Sequence, residues 1–526
     1  MRDVLGWNTV WDRRNRRPYT VSTRAWIDPK FGGFGVWTID GLLHAVLAAH
    51  LGESWLAWAN IGAVLAGRAS AGNLTALTAG STYWQDRSHP PFGGHVLWSV
   101  QAMVPDPPQR RRATGVLLAA YDWWFAARDG NRNGLLEYGS SPVGDGHFVH
   151  TRQAAMDESA NDNSPVHDQA RFDPATHTLD LEDVGLNSLL VHEGQLLARM
   201  LAVDGRADEA RRLSRRATAL AEAVRTQLWD PSRQVFAGRH WDGRFTRSLA
   251  PTSFYPLLAG IATREQAEAM VSRWLSAADR FGGEWPVAGT PHEDPAAADN
   301  VYWRGRTWPC FNYAVYLGLR RYRFDTEASW LAARGAELFG RGWAGRHCYE
   351  NFNQRTGEGG DSPDAEPFYT WGALLPYLAD ADLIGIDPWD GTTFGRAGAD
   401  TASAGTSIGG VWHEVSVTPE STTLTRAGAV LLTAGLRGRF RQLEAGPAGL
   451  SVEVPPSVQP VTVKVTLEAP DAVARVDGTV VRGEGLAGEG MDPPVAGLAA
   501  VRLEASDRPR RLEVRGGVVS PTGTAG

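Results

Sequence analysis

The chain has 526 residues, 43% hydrophobic and 21% charged, enough to bury at least one large core and to build two domains, and too apolar for a disordered chain. A net charge of -7 argues against a phosphate-backbone partner, and two cysteines, Cys310 and Cys348, exclude a disulfide framework or a Cys-rich metal site. No apolar run is long enough to cross a bilayer and the start lacks the order of a signal peptide, so a soluble cytoplasmic protein without nucleic-acid or membrane partners is expected.

In chain order, apolar residues first recur at helical spacing in "IDGLLHAVLAAHLG" from Ile39, "SWLAWANIGAVLAG" from Ser54 and "RATGVLLAAYDWWFAAR" from Arg112. The pattern then breaks between Asp129 and Asp183. The break opens on "RDGNRNGLLEYG", in which Asp129, Asn131, Asn133, the Leu135 carbonyl and Glu137 follow the D-x-N-x-N-G spacing that folds oxygen donors around a hard cation. An ordinary Asn/Gly turn capped by Asp fits the same spacing. Further along, residues 156–168 read "MDESANDNSPVHD", four acids, two asparagines and a histidine without hydrophobic period.

Helical period resumes in "VGLNSLLVHEGQLLARMLAVDG" from Val184 and "EARRLSRRATALAEAVRTQLW" from Glu209, then in "REQAEAMVSRWLSAA" from Arg264, "PCFNYAVYLGLRRY" from Pro309, "EASWLAARGAELFGR" from Glu327 and "YTWGALLPYLADADLIG" from Tyr369. A second irregular loop, "YENFNQRTGEGGDSPDAEPF", interrupts this series from Tyr349. Paired helices in this number predict a mainly α domain over residues 1–386, an (α/α)6 barrel of about six hairpins whose long loops gather at one end. The Gly/Ser/Thr-rich stretch 387–410 reads as a linker. Beyond it, alternating runs such as "HEVSVTP", "GLSVEVPP", "VTVKVTLEA" and "AVARVDGTVVR" predict a small all-β sandwich over 411–526, ending in a frayed tail "SPTGTAG".

Cleaving a glycosidic bond with inversion needs one carboxylic acid to protonate the leaving oxygen and one carboxylate to activate water from the opposite face, so the two come from distant loops. Asp162 sits among Asn161, Asn163 and Ser164, which can hydrogen-bond a carboxyl without adding charge, and Glu350 sits beside Tyr349 and Phe352, which can wall a sugar. Any chain of this size has many separated acids, so this pairing needs further support. Trp303 and Trp308 flank an Arg-Gly turn and suit a sugar wall, although a core role fits them too, and Arg304 fits a helix-start arginine paired to an acid as well as a sugar contact. A zinc site of His147, His150, His167 and Asp168 lacks the helical His pair such a site needs.

These segments, taken in order, resemble glycoside hydrolase family 63 and its bacterial relatives, which include α-glucosidases and mannosylglycerate hydrolases. "ESANDNSP" resembles the stretch that carries the family's general acid, which implies Asp162, and "ENFNQRTGEG" resembles the one that carries its general base, which implies Glu350. "NVYWRGRTW" is similar to the segment lining the sugar subsite, implying Trp303, Arg304 and Trp308, and "PFYTWGALL" to the aromatic segment beyond it. "VWTIDGLL" and "YWQDRSHPP" resemble the segments that supply Asp40 and Arg87 to the same subsite. A calcium-binding relative further implies Glu182 as a ligand beside the Asp129 loop, with a structural calcium pinning the loop that presents Asp162. Departures are Ala160 for the expected Gly, Ile39 for a Trp before Asp40, and Val166 and His167 for an Arg and an aromatic. The resemblance implies an inverting, exo-acting α-glycosidase that releases terminal glucose or mannose from a small carbohydrate substrate. The alternatives are an α/α-barrel epimerase or phosphorylase, or a non-catalytic carbohydrate-binding protein.

Overall fold

The computed structural model describes residues 1–13, 15–144, 149–398, 400–446, 449–466, 473–481 and 498–515. His147 and the tail 520–526 lie outside them. Two compact units divide the chain, a helical one of Met1–Ala49, Glu53–Gln101 and Pro105–Leu378, and a β one of His50–Gly52, Ala102–Val104 and Ala379–Gly526.

In the helical unit two kinds of helix alternate. Val184–Val203 is apolar on nearly every side and buried along most of its length, starting where the Asp183 side chain accepts the Leu186 N–H at 2.8 Å. Its neighbour Ala207–Gln227 buries only Ala210, Leu213, Ala217, Leu220 and Val224, a single stripe spaced three and four residues apart. Pro309–Arg321 and Asp325–Trp343 repeat this pairing of an inner and an outer helix. Asn8 Nδ2 donates to Thr370 Oγ1 at 2.8 Å and Thr370 N–H donates to the Ser22 carbonyl at 2.7 Å, joining the first and last segments of the unit. No helix among the described residues is long and apolar enough to cross a membrane.

The structure departs from the sequence expectation in three places. Asp129–Asp183 is not one long loop: Glu137–Gly139, Phe172–Asp173 and Thr178–Glu182 form a small antiparallel sheet with Arg239–His240, and Arg152–Asp157 is a short helix capped by the Thr151 hydroxyl. These pieces are too short to show a period. The segment from Tyr369 is helical only over Thr370–Leu383, and Ile384–Asp387 is already a strand. The stretch 387–410 is no linker, because Gly391–Phe394 and Ala402–Ile408 within it are strands of the β unit. Small residues hid them: the Gly405 position faces Trp412, where a Cβ would lie 2.6 Å from the indole, so a glycine stands mid-strand.

Among the described residues the β unit has a seven-stranded and a six-stranded antiparallel sheet that share one buried core. Alternation places Val461, Val463 and Val465 inside from one strand and Val415 and Val417 from another, while Phe394 and Phe440 stack with ring centres 4.7 Å apart. Cys310 and Cys348 are free thiols.

Candidate active site

The acid-rich run 156–168 is sorted by what each side chain meets. Glu158 is fully buried and accepts from Arg128 Nε at 2.6 Å, Arg128 Nη2 at 2.9 Å, Ser88 N–H at 2.9 Å and Gly139 N–H at 2.7 Å. Asp157 faces Arg87 at 3.9 Å, and Asp168 pairs with Arg304 at 2.8 Å. Only Asp162 of the four acids lines a cleft of about 540 Å³ in the helical unit. Just before it Ala160 adopts φ +49°, the left-handed conformation that a glycine ordinarily takes, at a cost of about 1–2 kcal/mol. That is the physical meaning of the Gly expected here, and the Ala160 side chain also lines the cleft. Val166 and His167 are buried and do not line it, and His167 Nε2 lies 3.2 Å from Ser159 Oγ, so these two departures act from behind the wall.

The second wall is the turn 300–305. Val301 and Arg304 exchange both main-chain hydrogen bonds at 2.9 Å, and Asn300 and Tyr302 take positive φ of 49° and 51°. Strain of this kind in two non-glycine residues persists only where surrounding contacts hold it. Asn163 supplies two of them, its Oδ1 accepting Trp303 N–H at 2.9 Å and its Nδ2 donating to the Val301 carbonyl at 3.3 Å. The Asp162 loop and the 300–305 turn are thus one structure. Trp303 lines the cleft and stacks on Trp308, 3.5 Å between ring centres and 12° between planes. Trp308 itself does not line it; fully buried, it donates Nε1–H to the Tyr302 carbonyl at 3.1 Å and backs Trp303.

Arg304 and Arg87, expected to grip the sugar, are also absent from the lining. The reversed turn sends the Arg304 guanidinium to Asp299 at 2.6 Å and Asp168 at 2.8 Å, the paired-arginine alternative. Arg87 is wholly buried, bound to Asp86 at 2.8 Å and lying 4.0 Å over the Trp84 ring. It acts on the site through its charge, which opposes the rise of the Asp162 pKa.

Glu350 and Asp40 form the floor. Asp40, in the first turn of the helix Thr38–His50, accepts from Tyr369 OH at 2.6 Å and Ser22 Oγ at 2.7 Å. Glu350 is held by its own main chain, since its carbonyl accepts Trp371 Nε1–H at 2.9 Å and its N–H donates to the Glu366 carbonyl at 2.9 Å. Aromatic walls come from Trp26, Trp37, Tyr302, Tyr369 and Trp371, with Ile39 as an aliphatic patch. His89 stacks flat on Trp37, and burial drives its pKa down to about 3, which keeps it neutral. Of these, Ser22 and Trp26 carried no signal as site residues, whereas Tyr302 stands in "NVYWRGRTW" and Tyr369 and Trp371 in "PFYTWG".

Burial lifts both central carboxyls. Asp162 is pushed up to about 8, by burial first and by the charge of Asp157 next, and Glu350 goes well above the ordinary range, chiefly by burial. They differ in what surrounds them. Tyr302 OH, Asn351 Nδ2 and Glu366 N–H approach the Glu350 carboxylate at 3.3 to 3.5 Å, and no side-chain donor reaches Asp162 among the described residues. The Glu366 N–H and the Tyr302 hydroxyl oppose the rise at Glu350 without cancelling it, so burial favours the protonated form of both carboxyls and the donor shell is what distinguishes Glu350.

At the sheet edge, Asp129, Glu137 and Glu182 converge with Asn131 and Asn133. Glu182 Oε1 accepts from Asn131 Nδ2 at 3.0 Å and from Asn133 Nδ2, and Glu137 accepts Gly130 N–H at 2.8 Å and Trp241 Nε1–H at 2.9 Å. Burial, and then the charges of Asp129 and Glu182, push Glu137 up to about 8, and Glu182 Oε2 is buried without a partner. The Asn131 and Asn133 amide oxygens accept the Asn133 and Leu135 N–H groups, and their Nδ2 groups face Glu182. No three His, Cys, Asp or Glu among the described residues suffice to hold an ion, so asparagine and main-chain oxygens would have to complete the set.

Apart from Ser22, Thr23 and Trp26, the residues lining the cleft fall within residues 34–372, which match the model of the mannosylglycerate hydrolase MGH1-like glycoside hydrolase domain. A mannosylglycerate hydrolase of Rubrobacter radiotolerans is 30% identical over 208 residues, 39% of this chain and 44% of that one, so the chain spans less than half the length of this curated relative. Mannosylglycerate hydrolase MGH1 of Selaginella moellendorffii is 30% identical over 103 residues, 19% of this chain and 20% of its own length. The crystal structure of a GH63 mannosylglycerate hydrolase from Thermus thermophilus in complex with glucose superposes with a TM-score of 0.57 at 19% identity, covering 72% of this chain and 97% of that one. At that identity the likeness establishes the fold alone. The match to the family model covers more than half of the chain and carries both central carboxyls, and the chain therefore belongs to the MGH1-like glycoside hydrolase domain family.

Proposed function

We propose that this protein is an inverting, exo-acting α-glycosidase that hydrolyses a terminal α-linked glucose or mannose from a small glycoside. The observation that carries this is the meeting of Asp162 and Glu350, from loops far apart in sequence, in one tryptophan-walled cleft. Asp162, its pKa raised by burial to about 8, donates to the leaving oxygen; Glu350 must be ionised to take a proton from water as the water attacks the anomeric carbon, and its three donors favour that anion against the burial that raises its pKa. Asp40 offers a carboxylate oxygen to sugar hydroxyls, and Trp303 a flat face to the ring. The alternation of inner and outer helices and the joining of first and last segments support an (α/α)6 barrel as the scaffold. Phosphorolysis weighs less, because no Lys or Arg among the described residues lines the cleft to hold phosphate.

Inversion requires room for water between the carboxyls, roughly 6.5–9.5 Å. An α-linked substrate is therefore expected to release the β-sugar first, read by proton NMR of fresh product. Appearance of the α-anomer before mutarotation overturns the inverting assignment.

We propose further that a structural calcium binds Asp129, Asn131, Asn133, the Leu135 carbonyl, Glu137 and Glu182. The ion would supply positive charge to a carboxylate cluster that lacks it, and so pin the sheet edge. Chelation is expected to lower the melting temperature and readdition to restore it, since an ion that binds only the folded state stabilises it by mass action. An unchanged melting curve, with no ion in elemental analysis, reduces the loop to an Asn/Gly turn.

A further inference from the structure

The cleft differs in exposure between floor and mouth. Asp40 and Glu350 are buried at the floor, whereas Pro363 and Asp364 are exposed and Glu366 is half-buried. A glycoside whose terminal sugar rests on the floor carries its aglycone out past this rim, so the rim's charge selects the aglycone.

That charge is of one sign. At the rim Asp364 and Glu366 line the cleft, and no Lys or Arg lines any part of it among the described residues. Arginines near the walls are engaged by acids of their own: Arg87 with Asp86 and Asp157, Arg304 with Asp168 and Asp299, and Arg306 with Asp361 at 3.0 Å. The rim carboxylates Asp364 and Glu366 form no salt bridge among the described residues, and Arg306, whose charge also reaches Asp364, is buried and committed to Asp361. Trp303, 3% exposed, lines the same cleft with its ring, and its indole N–H is buried with no acceptor among the described residues.

We propose that the aglycone taken by this cleft is uncharged or cationic, a polyol or an amine-bearing group, and that Asp364 and Glu366 discriminate against aglycones that carry a carboxylate. This rests on the glycosidase reading. The physics is like-charge juxtaposition: a carboxylate brought beside two ionised side chains without a counter-cation is repelled, and the repulsion weakens as salt screens the exposed rim.

The test compares matched glycosides on the full chain: α-mannosylglycerol against α-mannosylglycerate, and the two glucosyl analogues. The neutral member of the cleaved pair is expected to have a kcat/KM about tenfold or more above that of its carboxylate partner, mostly through KM. Raised ionic strength is expected to narrow that ratio, and so is the double substitution Asp364→Asn with Glu366→Gln, with folding checked by circular dichroism. Equal or faster cleavage of the carboxylate member overturns this inference and leaves the glycosidase reading standing, as does a ratio that neither salt nor the double substitution moves. Cleavage of neither pair, nor of any disaccharide in a wider panel, overturns the glycosidase reading itself.

Discussion

Asp162→Asn is expected to lower kcat/KM on a natural disaccharide by about 100- to 10,000-fold while sparing much of the activity on the matching α-glycosyl fluoride. Fluoride leaves with little protonation, so the amide's inability to donate a proton matters far less for it. Glu350→Gln is expected to lose both substrates, because water must be activated whatever departs. The structure sharpens the controls. Asp168 is tied to Arg304 outside the cleft, so its substitution should not separate the two substrates. The same assignment sets the sign of the pH dependence: Asp162 must hold its proton, and activity should fall as pH rises through about 8. A folded Asp162→Asn protein that loses the fluoride as completely as the disaccharide removes Asp162 from the role of acid.

A second large effect is expected in stability. Glu158→Ala should destabilise the helical unit by about 3–5 kcal/mol, the cost of leaving a buried charge without its partner. The Arg128 guanidinium would keep the Asp86 carbonyl at 2.8 Å and the Trp123 face at 4.6 Å but lose both of its carboxylate contacts. The Ser88 and Gly139 N–H groups would lose their acceptor as well. Because Glu158 ties the segments at 88, 128 and 139 to the loop four residues before Asp162, its loss should reduce disaccharide and fluoride hydrolysis alike. A urea titration followed by tryptophan fluorescence measures the shift; an unchanged midpoint would show that this cluster does not hold the loop.

Much of this was legible without coordinates, for reasons of periodicity and local chemistry. Val184–Val203 and Ala207–Gln227 announce themselves by their apolar spacing, and the strand Val461–Thr466 by alternation. Asp162 and Glu350 were singled out by the ordered resemblance of "ESANDNSP" and "ENFNQRTGEG" to family segments, since their neighbours alone do not separate them from the chain's other acids. Short elements escaped because three to five residues carry no measurable period, as in Glu137–Gly139 and Thr178–Glu182. The strands within 387–410 escaped because Ala, Ser, Gly and Thr mimic a linker's composition.

By itself the sequence determined the long helices and the regularly alternating strands, because those patterns repeat within one element, and it marked the loops where chemistry is concentrated. Only the tertiary structure decided which side chains of those loops face the cleft. Positive φ at Asn300 and Tyr302 reverses the chain there, so that Trp303 lines the cleft while Arg304 turns to Asp299 and Asp168. Likewise Glu158 is consumed by Arg128 and Asp162 is left to the cleft, although the two are four residues apart in one acidic run. Facing is set by partners distant in the chain, and no local period encodes them.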